Sequence, residues 1–177
     1  MRIVLCAFDK VLYQAWIEAL PGVLPVLESA VHEIAVQTGD ITKLAVTAVV
    51  SPANSYGYMR GGVDLAYTLR FGIGVEESVR ARIATLPGSL LPVGEALAVA
   101  TGDSIIPYLV SAPTMKTPKH LSGPQPVLAA TRAAVRCAMD QGYDSLAFPG
   151  MGTGTGGLDL NVAARAMLEG IREGLVG

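Results

Sequence analysis

The chain has 177 residues, 51% of them hydrophobic and 16% charged, with a formal net charge of −2 and a mean hydropathy of +0.45. It is long enough to bury a substantial core in one domain and too apolar for a disordered chain. No apolar run approaches the roughly 20 residues of a membrane span, and the slightly acidic balance offers no basic footprint for nucleic acid, so neither membrane nor nucleic acid is an expected partner.

The start, Met1–Asp9, interrupts its apolar run with Asp9, which suits a first strand rather than a secretory leader, and a cytoplasmic protein is expected. Arg2–Phe8 reads as that strand. Asp9 is placed to cap a helix whose apolar residues Val11, Leu12, Ala15, Trp16 and Ala19 recur at helical spacing until Pro21-Gly22. Residues 26–30 and 31–37 read as extended. Ala45–Val50 is rich in β-branched residues, as a strand buried on both faces would be, and Pro52 ends it because proline has no N–H for a central ladder. Gly61-Gly62 then opens a short helix carrying Val63, Ala66 and Leu69, and Gly72 closes it.

Val75, Val79 and Ile83 form the apolar stripe of an otherwise charged helix. Residues 91–100 and 108–112 read as strands separated by the turn-rich Thr101–Ser104. Four prolines make 113–126 a long irregular loop, after which Val127–Ala138 is helical and Gly142 stops it. Ser145–Phe148 is a short buried strand, and Asp159 or Asn161 caps the last helix. Strands alternating with helices predict an α/β fold with a mixed sheet between helical layers. Cys6, Cys137, His32 and His120 are scattered without metal-type spacing, so the thiols read as free and no metal site or cofactor is expected.

The candidate chemistry lies at strand ends. Asn54 follows a strand end, where open α/β sheets bind ligands, although an asparagine there also suits a turn. Gly61-Gly62 places bare N–H groups at a helix N-terminus, a setting that attracts phosphate, and Arg60 beside it is free to add a charge or to point into water. Asp64 in that first helical turn is expected on dipole grounds alone. Asp40, after a glycine, reads by itself as a solvated turn carboxylate. Gly152–Gly157 satisfies G-x-G-x-x-G, but a dinucleotide fingerprint belongs in the first β-α-β unit, and only one helix of chain remains here. An anion-binding loop and an unliganded glycine loop both remain open.

Three stretches, in order, resemble the macro domain family: Thr38-Gly-Asp-Ile-Thr42; Ser51-Pro-Ala-Asn-Ser55 with Gly61-Gly-Val-Asp64 and Phe71-Gly72; and Phe148-Pro-Gly-Met-Gly-Thr-Gly-Thr-Gly-Gly157. The resemblance implies a three-layer α/β/α sandwich over residues 1–177, with residues 1–30 as an added β-α segment at one edge of the sheet. It implies an ADP-ribose site. There Asp40 accepts from the adenine amino group and Ile41 lies beside the base. Gly61, Gly62 and Val63 face Gly152, Thr153, Gly154, Thr155 and Gly156 across the diphosphate, and Asn54 holds the distal ribose. Asp64, read as an ordinary carboxylate ionised at neutral pH, would activate water for hydrolysis of ADP-ribosyl or O-acetyl-ADP-ribose substrates. A non-catalytic ADP-ribose reader, or a nucleotide-binding module recruiting a protein partner through 113–126, are the alternatives. Residues 155–157 lack the aromatic that many family members place over the distal ribose, leaving Tyr56, Tyr58 or Met59 as replacements.

Overall fold

The computed structural model describes residues 1–23 and 32–176, so the extended segment expected at 26–30 lies outside the described residues. Six strands form one sheet: β1 (Arg2–Ala7), β2 (Glu33–Thr38), β3 (Ala48–Ser51), β4 (Leu97–Ala100), β5 (Tyr108–Ser111) and β6 (Ser145–Phe148). Their order is β2-β1-β6-β3-β5-β4, parallel throughout except for the antiparallel β4–β5 pair. Among the described residues the α-helices are α1 (Lys10–Ala19), α2 (Gly62–Phe71), α3 (Gly74–Ala84), α4 (Gln125–Asp140) and α5 (Leu160–Val176).

Alternate residues of the central strands feed two cores, as the two-residue strand period requires. Ile3, Leu5, Val50 and Phe148 pack with Trp16 of α1, Val127 and Ala134 of α4, and Met167 and Ile171 of α5. Val4, Val49, Leu109 and Ala147 pack with Tyr67 of α2 and Val75, Val79 and Ile83 of α3. This is the expected three-layer sandwich.

Several expected boundaries move. The strand read at 45–50 begins at Ala48, that read at 91–100 is confined to Leu97–Ala100, and Pro126 belongs to the first turn of α4 instead of the preceding loop. Proline is tolerated there because first-turn N–H groups have no intrahelical partner. Asp9 caps α1, its Oδ1 accepting the N–H groups of Val11 and Leu12 at 2.9 Å, and Asp159 serves α5 in the same way through Asn161 and Val162.

One topological expectation is overturned. The N-terminal strand does not extend an edge: β1 lies inside the sheet, between β2 and β6. Composition explains the exchange. Ile3 to Ala7 are all buried, which suits a strand covered on both faces, whereas β2 keeps Glu33 and Thr38 exposed and Ile34–Gln37 half-buried, which suits an edge.

α4 and α5 cross at Gly170, where an added Cβ would stand 2.6 Å from the Leu128 carbonyl oxygen and 2.9 Å from the Thr131 Cβ. An alanine normally stabilises a helix interior relative to glycine by roughly 0.5–1 kcal/mol. Here that order should reverse. Gly170→Ala is expected to destabilise by about 1–3 kcal/mol as the helices are forced apart, measured as a lower midpoint in urea denaturation; an unchanged or raised midpoint would show that the crossing has slack.

Candidate functional site

Parallel pairing brings the carboxyl ends of β2, β1, β6 and β3 to one rim, in that spatial order. Three strand spacings span roughly 14 Å. Along the rim stand Asp40 after β2, Phe8 after β1, the glycine loop 150–157 after β6, and the loop from Asn54 to Gly62 after β3.

At the β2 end, Asp40 is exposed and caps the short 3-10 turn Ile41–Lys43. Its Oδ1 accepts the Thr42 N–H at 3.0 Å and the Thr42 hydroxyl at 2.6 Å, and these two bonds hold its carboxyl below the usual range. The turn reading of Asp40 therefore describes a real contact, yet the side chain stays open to solvent. Ile41 points inward and is buried in the core under α2 and α3.

Phe8 was not among the residues singled out in the sequence. It is 93% exposed, whereas every residue of β1 from Ile3 to Ala7 is buried. The Gly39 N–H donates to the Ala7 carbonyl at 2.9 Å, which carries the β1–β2 pairing to the residue before Asp40, and on the β6 side of β1 Leu12 of α1 packs so closely on Gly150 that an added Cβ there would lie 2.8 Å away. Phe8 thus follows the strand that lies between those leading to Asp40 and to the glycine loop, and offers an exposed apolar ring at that end of the sheet. An aromatic at a strand's carboxyl end is the signal that could have marked it; the strand's interior position supplies the rest.

The β6 loop is closed on itself by Leu158 N–H to Gly152 O (3.1 Å) and Gly157 N–H to Gly154 O (3.0 Å). Among the described residues, no protein acceptor takes the N–H groups of Gly152, Thr153, Gly154, Thr155 and Gly156. Consecutive free amides of this kind form an anion-binding concavity. The glycines have different duties. A Cβ on Gly152 would meet Val127 Cγ2 at 2.5 Å, and one on Gly156 would meet the Gly152 carbonyl oxygen at 2.5 Å, so both are needed by the loop itself. Gly154 is exposed, has no positive φ, and has nothing among the described residues within 4 Å of its Cβ position. Only an incoming ligand would meet a side chain there. The 113–126 segment forms part of this wall: Leu121 N–H donates to Gly156 O at 2.8 Å, and His120 lies against Gly157.

At the β3 end, no side chain caps α2, whose first turn begins after Gly61 and opens with Gly62 at φ +56°. The N–H groups of Gly62, Val63 and Asp64 thus have no intrahelical partners, at the strand end next to the one that leads into the β6 loop. Asn54 is buried and turned to its own loop: Oδ1 accepts the Tyr56 N–H (3.0 Å) and Nδ2 donates to the Tyr58 carbonyl (3.3 Å). These bonds make it a turn residue, with one Nδ2 hydrogen and one Oδ1 lone pair left over. Met59, 1% exposed, cannot cover a ligand, and Tyr58 has the guanidinium groups of Arg60 and Arg80 over its ring at 4.9 and 4.3 Å. Tyr56 is half-buried.

Asp64 differs most from its sequence reading. It is buried, with 8% exposure, on the inner face of α2, where the Ser51 hydroxyl donates to its Oδ1. Burial pushes its pKa up to about 7; the Ser51 bond opposes that rise and the nearby Glu76 carboxylate adds to it. The ordinary, fully ionised carboxylate expected from sequence is therefore corrected to one half-protonated near neutrality. Glu76 is also buried, accepts the Met59 N–H, and pairs with Arg60 at 3.6 Å. No group of three or more potential metal ligands occurs among the described residues, and no helix there is long and apolar enough to cross a membrane.

Open α/β sheets bind ligands at the carboxyl ends of their strands, and here two runs of free amides, an exposed aromatic and a buried carboxylate share that end of the sheet. The comparisons give the family: the macro domain family model matches residues 50–167, and the chain belongs to that family of ADP-ribose-binding domains. An uncharacterised Aquifex aeolicus protein is 40% identical over 80% of this chain and 82% of its own length. A macro domain-containing protein of Cupriavidus necator is 34% identical over 77% and 79%. The Oceanobacillus iheyensis macrodomain with ADP has the same fold, with a TM-score of 0.66, 23% identity, and coverage of 76% of this chain and 72% of that one.

Two substitutions test the rim. Gly154→Val should leave the thermal midpoint unchanged and reduce ADP-ribose binding at least about tenfold in calorimetric titration, because its side chain fills only ligand space; undiminished binding would remove the β6 loop from the site. Asp40→Asn keeps an oxygen for the Thr42 N–H but removes the charge, and should weaken binding by about 1.5–3 kcal/mol if the carboxylate receives a ligand donor. An equal loss of stability and affinity would mark Asp40 as a cap only.

Proposed function

We propose that this domain binds ADP-ribose derivatives along the strand-end rim and hydrolyses the bond that joins the distal ribose to an acceptor or acyl group. The adenine lies on Phe8, with its amino group donating to Asp40. A carboxylate accepts hydrogen bonds and cannot donate, so it suits an exocyclic amine over a carbonyl edge. The diphosphate sits between the two amide runs, which neutralise its charge through backbone dipoles without a lysine. The distal ribose then reaches Asn54 and the first turn of α2, beside Asp64.

The observation that carries the catalytic reading is the environment of Asp64. A carboxylate whose pKa matches the working pH is an effective general base, because it is substantially ionised yet basic enough to take a proton. Asp64 takes a proton from water as the water oxygen forms its bond to the reacting carbon. The bond to the acceptor breaks with its electron pair, and the proton held on Asp64 is delivered to the departing group. A non-catalytic reader is the second reading. The Asn54 side chain favours it, since its bonds to the Tyr56 N–H and the Tyr58 carbonyl hold it along its own loop and give it a binding duty without a part in proton transfer.

The titration of Asp64 has a definite sign. Its folded pKa lies above the ordinary carboxylate value of 3.8, so folding favours the protonated form. Stability from this group is fully present below pH 4 and is lost as pH rises toward 7, by up to about 4 kcal/mol. Turnover runs the other way, rising with pH through the same window as the base ionises. Asp64→Asn should therefore lower turnover at least roughly a hundredfold, while raising the unfolding midpoint at pH 8 more than at pH 5. Turnover is measured as ADP-ribose release from an ADP-ribosylated protein and from the O-acetyl ester. Wild type that binds ADP-ribose but cleaves neither ester, amide nor glycosidic substrates is a reader.

A further inference from the structure

We infer that Ser51 is a positioning residue of this site: its hydroxyl pins Oδ1 of Asp64 and leaves Oδ2 as the oxygen that faces the reacting water. The inference rests on the catalytic reading of Asp64 given above.

Position and partners both point to this assignment. Ser51 is the last residue of β3, fully buried, and the next residue, Pro52, takes the chain out of the sheet. It lies on the same face as Val49, toward α2. Two residues of α2 bond back to this strand end. The Tyr67 hydroxyl donates to the Val50 carbonyl at 3.0 Å, and one turn earlier Asp64 accepts from Ser51 at 2.5 Å. The pair holds the helix in register on the strand. Oδ1 is thereby occupied, whereas Oδ2 has no protein donor among the described residues and is not among the fully buried unpartnered atoms, so the remaining exposure of Asp64 reaches it.

The charged groups around Asp64 do not replace Ser51. Glu76, from α3, repels a second negative charge and is itself committed to Met59 and Arg60. Arg60 points to Glu76, with its side chain largely exposed. Tyr67 uses its hydroxyl on Val50. Ser51 is thus the single protein donor to the Asp64 carboxylate among the described residues, and the group that favours its ionised form against burial and Glu76.

Ser111 provides an internal control. It is the register partner of Ser51 on β5, lies on the same face, is fully buried, and its hydroxyl has no partner among the described residues. It matches Ser51 in burial and chemistry and lacks only the bond to Asp64.

Ser51→Ala is expected to move the Asp64 titration upward by about one pH unit or more, followed by carboxyl-carbon NMR of labelled protein, because a donor to the charged form has been lost. The acid limb of the kcat profile should shift upward equally, with ADP-ribose affinity unchanged and turnover at pH 7 reduced about tenfold. Ser51→Thr, which keeps the hydroxyl, should restore both. Ser111→Ala should change neither. Unmoved Asp64 titration in Ser51→Ala, or an equal shift in Ser111→Ala, overturns the inference. The NMR titration needs no turnover, so a wild type without hydrolase activity sinks the catalytic reading while Ser51's hold on Asp64 is still read directly.

Discussion

Parallel pairing is the constraint on which the site depends. Each parallel strand must return to the same end of the sheet before the next begins, so the loops that follow β2, β1, β6 and β3 gather at one rim although they are far apart in sequence. The N-terminal strand has the largest effect. By lying between β2 and β6 it separates Asp40 from the β6 glycine loop by one strand and fills that interval with Phe8. With β1 at an edge, the aromatic would have stood outside the row.

The rim is built from backbone more than from charge. Among the described residues, five amides of the β6 loop and those of the first turn of α2 have no protein acceptors, and the glycines of the β6 loop divide into two kinds. Gly152 and Gly156 are required by contacts within the loop, while Gly154 leaves an opening. Unpaired amides are costly when sealed from water and tolerable at a solvated rim, where a ligand can replace that water.

Asp64 is a carboxylate held where its charge is disfavoured. A carboxylate placed beneath the first turn of α2, near a second buried carboxylate, resists ionisation, so its charging opposes the folded state as pH rises. Functional sites commonly retain such costs because the perturbed pKa is what the chemistry needs. The Ser51 bond moderates the effect and orients the group. α2, tied to β3 by Tyr67 and Asp64, is the rigid element that presents it.

Much of this protein was legible in its sequence because the controlling physics is local. The cap at Asp9, the stop at Pro52, the buried β3, the two glycine loops and the apolar faces of α4 and α5 all follow from neighbouring residues and from helix or strand periods. The ordered motifs also placed the chain in its family. Three matters depended on contacts between distant residues. Strand order decided that β1 is interior, since the apolar pattern of Arg2–Ala7 suits burial but names no neighbours. Burial decided the protonation of Asp64: a first-turn aspartate is exposed on most helices, and only the packing of α2 on β3 and α3 turns this one inward beside Ser51 and Glu76. Phe8 became a candidate ligand platform only when the strand order put the end of β1 between the ends of β2 and β6, which lead to Asp40 and to the glycine loop. Local sequence specifies what a residue can do; the free energy of long-range packing selects which groups surround it, and hence its charge and its exposure.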